Sequence, residues 1–162
     1  MKLSLDISVR CALWRRLPQA RKMARETIAA CAAESGIAAC AGADVSLCLA
    51  DDERLRALNS RWRGVDKPTN VLSFPAARSR PPERSPALGD IVLAFETLER
   101  EAKVFGAPLA DHYRHLVAHG FLHLLGYDHR TDEEAERMET LEKRVLARFG
   151  VADPYALGVV DE

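Results

Sequence analysis

The sequence predicts an α+β domain in which one small mixed β-sheet of about four strands packs with five or six helices. Three observations carry this expectation: four short β-prone stretches, five longer stretches with apolar residues at helical spacing, and the interleaving of the two kinds without an internal repeat. The chain has 162 residues, enough for one domain with a real core, so residues 1–162 are expected to form a single unit.

The elements follow in order. LSLDISV (residues 3–9) alternates apolar and polar side chains, as a half-buried strand does. Residues 18–34 open with Pro18, suited to a first helical turn, place Met23, Thr27, Ile28 and Cys31 on one face, and stop at Gly36. DVSLCLA (44–50) is a second strand, after which Asp51 or Asp52 caps a helix whose inward side is Leu55 and Leu58 and whose end is Gly64. TNVLSF (69–74), held between Pro68 and Pro75, is a short strand suited to a sheet edge. The proline- and arginine-rich stretch 75–87 is expected to be an irregular loop. LGDIVLAF (88–95) is a further strand, and ETLEREAKVFG a helix closed by Gly106. Pro108 then begins the most apolar helix, which runs to Gly126. Thr131 and Glu134 suggest a capping box for a last helix with Ala135, Met138, Leu141, Val145 and Leu146 inward, ending at Gly150.

Composition excludes some functions. No apolar run approaches the roughly 18 residues of a membrane span, and Asp6 and Arg10 interrupt the N-terminal segment before it could serve as a secretory signal, so a cytoplasmic protein with no membrane partner is expected. Cys11, Cys31, Cys40 and Cys48 form no CxxC pair and stop short of the histidines, which fits small buried thiols better than a Cys-ligated metal. A net charge of −1 conceals an asymmetry: residues 1–84 carry 15 Lys and Arg against 9 acids, and residues 85–162 carry 8 against 15. The basic half could face a polyanion, although such charges also suit ordinary solvated helix faces.

Four of the five histidines, His112, His115, His119 and His123, are spaced three, four and four along one helix and so share a face. His119 and His123 can aim two ring nitrogens at one point, and a turn at Gly126 can return His129 as a third. Three neutral imidazoles leave a zinc ion its full charge and one open position, the arrangement of a catalytic site, so one Zn2+ per chain is expected at His119, His123 and His129. His115 is a candidate for supporting the ligands from behind or for touching substrate, and Asp128, beside the third ligand, for orienting a histidine or simply capping the next helix; packing or hydrogen bonding behind the site is the expected role of His112. The spacing HGFLHLLGYDH is that of zinc peptidases, but Gly120 stands where a peptidase has its glutamate base. A His-bound zinc can still bring the pKa of its water to about 7 and polarise a phosphoryl oxygen, and phosphodiester cleavage can proceed with metal charge, an arginine, and a ribose 2′-OH or water as nucleophile.

LNSRWRGVDKPTNVLSFP (58–75), LGDIVL, and the block HYRHLVAHGFLHLLGYDH with the glutamates and Met138 that follow it together resemble the YbeY family of bacterial endoribonucleases over most of residues 44–150. The resemblance implies a zinc-dependent, single-strand-specific endoribonuclease. It would mature the 3′ end of 16S ribosomal RNA and serve ribosome quality control, with precursor 16S rRNA, the small subunit and ribosomal proteins as partners and no DNA. It carries the ligands onto His119, His123 and His129, and the family's important arginine onto Arg63, making Arg63 and His119 the catalytic candidates. Arg61, Lys67, Asn70 and Ser73 are the candidate substrate contacts. The family often has lysine where this chain has Val65, so a basic group at that place must come from Lys67 or is absent. The ligand spacing leaves open a zinc peptidase, and the ribosomal resemblance a non-catalytic assembly factor with a structural zinc.

Overall fold

The computed structural model describes residues 3–36, 43–76 and 87–158, so most of the proline-rich stretch lies outside it, as does Cys40. Four strands, β1 (Ser4–Val9), β2 (Asp44–Ala50), β3 (Val71–Pro75) and β4 (Ala87–Ala94), form one sheet in the order β1-β2-β4-β3. β1, β2 and β4 run parallel and β3 pairs antiparallel with β4, opposing Ser73 to Ile91 and Val71 to Leu93. The sheet is therefore mixed, as expected, and β3 is an edge.

Among the described residues five α-helices pack with the sheet: α1 (Ala20–Ser35), α2 (Asp52–Arg63), α3 (Phe95–Phe105), α4 (Leu109–Leu124) and α5 (Asp132–Ala147). The two central strands are apolar along the face toward α4, whereas the opposite face leaves the paired Ser46 and Asp90 exposed and is apolar only toward the C-terminal ends of the strands. Val45, Leu47, Leu49, Ile91 and Leu93 meet α1, α4 and α5 through Ile28, Tyr113, Val117, Phe121, Met138 and Val145. The opposite face, with Ala50, Leu72, Val92 and Ala94, receives Leu55 and, partly buried, Leu58 of α2. Val71 and Ser73 thus face α4, whereas Leu72 and Phe74 face α2.

Local signals fix the ends. Asp51, not Asp52, caps α2, its Oδ1 accepting from the Arg54 N–H at 2.9 Å. Asp52 instead reaches across to α3, accepting from the Thr97 hydroxyl at 2.6 Å and from Arg100 at 2.7 Å. Pro18 sits in a turn two residues ahead of α1 rather than within it. The Thr131 hydroxyl accepts from the Glu134 N–H at 3.1 Å and starts α5. The short 3₁₀ turn Ala12–Arg16 buries Trp14, whose indole N–H donates to the Ala50 carbonyl at 2.8 Å and ties the N-terminal segment to the core. Among the described residues no helix is long and apolar enough to cross a membrane.

Candidate metal centre

The site is built on the C-terminal half of α4 and the turn behind it. α4 ends in a Schellman closure: the Gly126 N–H bonds to the His123 carbonyl at 3.0 Å and the Tyr127 N–H to the Leu122 carbonyl at 3.1 Å. Gly126 holds φ at +98°, a conformation that favours glycine, and the chain doubles back so that His129 faces the helix it has just left. The nitrogens that His119, His123 and His129 offer lie within 4.8 Å of one another. Their rings pack at centroid distances of 4.6, 5.3 and 5.8 Å, closing a triangle.

The outer nitrogens of the two helical histidines are engaged. His119 Nδ1–H donates to Glu142 Oε1 at 2.6 Å, and His123 Nδ1–H donates to the Tyr127 carbonyl at 2.9 Å. In the neutral rings those bonds place the proton on Nδ1, so both Nε2 atoms present lone pairs, and these face each other across 3.1 Å. Facing lone pairs repel unless a proton or a cation is shared between them. Tetrahedral zinc with bonds of about 2.0–2.1 Å holds its ligand nitrogens about 3.3 Å apart, so the separation suits that ion. Burial, then the neighbouring His119 and His129, lowers the His123 pKa to about 4, which keeps the ring neutral and able to ligate at neutral pH.

Glu142 carries the geometry from behind, and the sequence reading assigned it no role. It lies on the inward face of α5 between Met138 and Val145 and is fully buried. Burial pushes its carboxyl up, but the hydrogen bond from His119 and the electrostatic attraction of the His115 and His119 rings outweigh burial and hold the pKa down to about 2. A carboxylate at an apolar-stripe position was the available signal, since only a specific partner makes such burial tolerable.

The other candidates divide. His115 is buried with its Nε2 3.5 Å from Glu142 Oε1, too long for a well-formed hydrogen bond, so it stands behind His119 and not in the ligand triangle. Asp128 grips the backbone and not a ring: Oδ1 accepts from the His129 N–H and Oδ2 from Arg130 Nε, both at 2.8 Å, which sets the path of the loop bearing the third ligand. His112 donates to or accepts from no ligand; its Nε2 lies 2.9 Å from Glu101 Oε1. The same carboxylate receives the Asn70 amide at 3.0 Å while Asn70 Oδ1 takes the Val71 N–H, so both ends of Asn70 are spent inside the protein. That arrangement makes Asn70 a brace between α3 and the start of β3. The Ser73 hydroxyl donates to the Gly120 carbonyl at 2.8 Å, which leaves it able only to accept from a substrate.

Arg61 and Arg63 stand exposed on the last turn of α2, and Lys67 on the connection to β3. Among the described residues none of the three forms an ion pair, and α2 lies on the face of the sheet opposite α4. The structure therefore brings the histidines together but leaves the basic group across the edge strand from them. Between α2 and that edge, Trp62 keeps 60% of its surface exposed, edge-on to Phe74 at 6.2 Å and beneath the Arg61 guanidinium at 5.2 Å.

A family model described as Endoribonuclease YbeY matches residues 13–150. Relatives called endoribonuclease YbeY include one from Methylocella silvestris, 49% identical over 155 residues that cover 96% of this chain and 87% of the relative. Another, from Bradyrhizobium diazoefficiens, is 46% identical over 155 residues, 93% of this chain and 84% of the relative. A solution structure of a Thermotoga maritima protein superposes with a TM-score of 0.55 over 97% of each chain at 23% identity, a likeness of fold.

Proposed function

The chain belongs to the YbeY endoribonuclease family, and on that premise we propose that it is a zinc-dependent endoribonuclease that cuts single-stranded RNA, acting on the 3′ end of precursor 16S rRNA and in ribosome quality control. The observation that supports the metal part most is the pair of Nε2 atoms of His119 and His123 facing each other at 3.1 Å with both Nδ1 protons committed elsewhere. When bound, zinc supplies Lewis acidity for a phosphoryl group and lowers the pKa of water to near neutrality.

The chain's own residues do the rest. Glu142 and the Tyr127 carbonyl hold His119 and His123 in the tautomer that leaves Nε2 free to ligate, and Asp128 sets the approach of His129. In this reading a strand is drawn across the edge of β3 from the basic group to the histidines, Arg63 offsets charge developing on the scissile phosphate, and Arg61 and Lys67 take flanking phosphates. The exposed indole of Trp62 offers a face on which an unpaired base can stack, a contact open to single strands and closed to a duplex. Ser73, having given its proton to Gly120, can accept from a ribose 2′-OH. The partners that follow are RNA and, through it, the small ribosomal subunit.

Gly120 weighs against the peptidase alternative. A Cβ there would come within 2.9 Å of Ile91 Cγ2 and within 3.2 Å of Ser73 Oγ and Val71 Cγ2, so the wall of the sheet occupies the space a glutamate base needs.

The test compares wild type with Arg63→Ala at equal zinc content on a precursor rRNA fragment. Loss of a donor to transition-state charge costs on the order of 100-fold or more in rate. Cleavage by the variant at the wild-type rate would remove Arg63 from the mechanism.

A further inference from the structure

We propose that Tyr155, acting through Glu142, positions the metal ligand His119, so that the C-terminal turn of the chain is a working part of the metal centre. The proposal rests on the metal reading above and extends it to residues past the end of the family match at position 150.

A 3₁₀ turn, Pro154–Leu157, follows α5 and folds back over it. Asp153 starts the turn by accepting the Tyr155 N–H at 2.9 Å, Pro154 is buried, and Lys143 Nζ on α5 lies 3.6 Å from Asp153 Oδ2. So anchored, Tyr155 sets its ring nearly perpendicular to that of His115 at a centroid distance of 5.6 Å, and its hydroxyl donates to Glu142 Oε2. The other oxygen of that carboxylate, Oε1, takes the His119 Nδ1–H at 2.6 Å. Two hydrogen bonds through Glu142 join the Tyr155 hydroxyl to the His119 ring, which makes Tyr155 a positioning residue.

The physical consequence comes from the geometry of a carboxylate. With a donor on one oxygen alone, the group can rotate about its last side-chain bond and the accepted hydrogen bond wanders with it. Donors on both oxygens fix the plane, and the fixed Oε1 fixes the His119 ring. Without the Tyr155 hydroxyl, Oε2 of a fully buried carboxylate loses a donor, a state costly enough that the side chain or the turn must move. Ring orientation at His119 decides whether its Nε2 converges with those of its neighbours. Glu142 should then matter more than Tyr155, since it makes the contact and Tyr155 only directs it.

The experiment measures Zn2+ affinity by competition with a chromophoric chelator for full-length wild type, Tyr155→Phe and Glu142→Gln, with unfolding of each metal-free protein followed in parallel. The His119 ring nitrogens are read by NMR in the metal-free state. Tyr155→Phe is expected to weaken zinc about 3- to 10-fold and Glu142→Gln about 10- to 100-fold, the range found for groups that orient metal ligands. The His119 Nδ1–H signal should broaden or shift in Tyr155→Phe while the fold persists. Wild-type zinc affinity and an unchanged His119 signal in Tyr155→Phe would overturn the proposal, as would a loss of stability with no change in affinity. A wild-type protein that binds no zinc would instead overturn the metal reading beneath it.

Discussion

The Ser73 hydroxyl donates to the Gly120 carbonyl across 2.8 Å and pins the edge strand β3 to α4 at the residue directly after His119. The absence of a side chain at Gly120 permits that approach, with Ile91 and Val71 completing the contact. The missing glutamate is thus a packing requirement: the position belongs to the interface between helix and sheet.

Gly120→Ala should destabilise the protein despite alanine's better helix propensity. A methyl group 2.9 Å from a buried isoleucine branch incurs overpacking of about 1–3 kcal/mol against about 1 kcal/mol gained in propensity. Denaturant unfolding should report a net loss of about 1 kcal/mol, and Gly120→Glu a larger one without any peptidase activity. A Gly120→Glu protein of normal stability would contradict this packing.

Asn70 should behave as a brace. Its amide donates to Glu101, which His112 also engages, so Asn70→Ala leaves a partly buried carboxylate short of a donor. A stability loss of about 1–2 kcal/mol is expected, with RNA affinity of the folded fraction unchanged. Normal unfolding together with weakened RNA binding would return Asn70 to the substrate contacts.

The charges near the end of α2 should act through phosphates. Lys67→Ala is expected to weaken single-stranded RNA similarly for all sequences and to reduce the slope of log affinity against log salt by about 0.7, one phosphate contact's worth. A change confined to particular sequences would point to base recognition by Lys67 instead.

Metal and fold should be linked. At free zinc about 100-fold above Kd, the bound state is expected to gain about 2.7 kcal/mol over the chelated protein, and His129→Ala should abolish most of that gain. Equal unfolding of wild type with and without zinc would place the ion outside the folded centre.

Much of this was legible in the sequence because the relevant relationships are local. His119 and His123 are one helical turn apart, and Gly126 with Tyr127 makes the return to His129 a matter of a few residues. The strands and helices were legible for the same reason, each from its own periodicity and stop signals. The carboxylate behind His119 was not, because Glu142 meets it across 23 residues of chain and only the packing of α5 on α4 joins them. The partners of Asn70 and Asp128, Glu101 and the His129 N–H, were likewise not legible, because the sequence shows a polar residue beside a site but not what it bonds. Arg63 gave its charge to the sequence reading but not its place, since which sheet face carries α2 depends on long-range pairing.

The most direct single measurement is cleavage of a single-stranded precursor 16S rRNA 3′ fragment by wild-type protein in zinc-loaded and zinc-depleted form, with the same fragment annealed to its complement as control. Cutting of the single strand by the loaded protein, loss of cutting on depletion with recovery on returning zinc, and an intact duplex are expected. Equal cutting with and without the metal, or no cutting by protein carrying one zinc per chain, would contradict it.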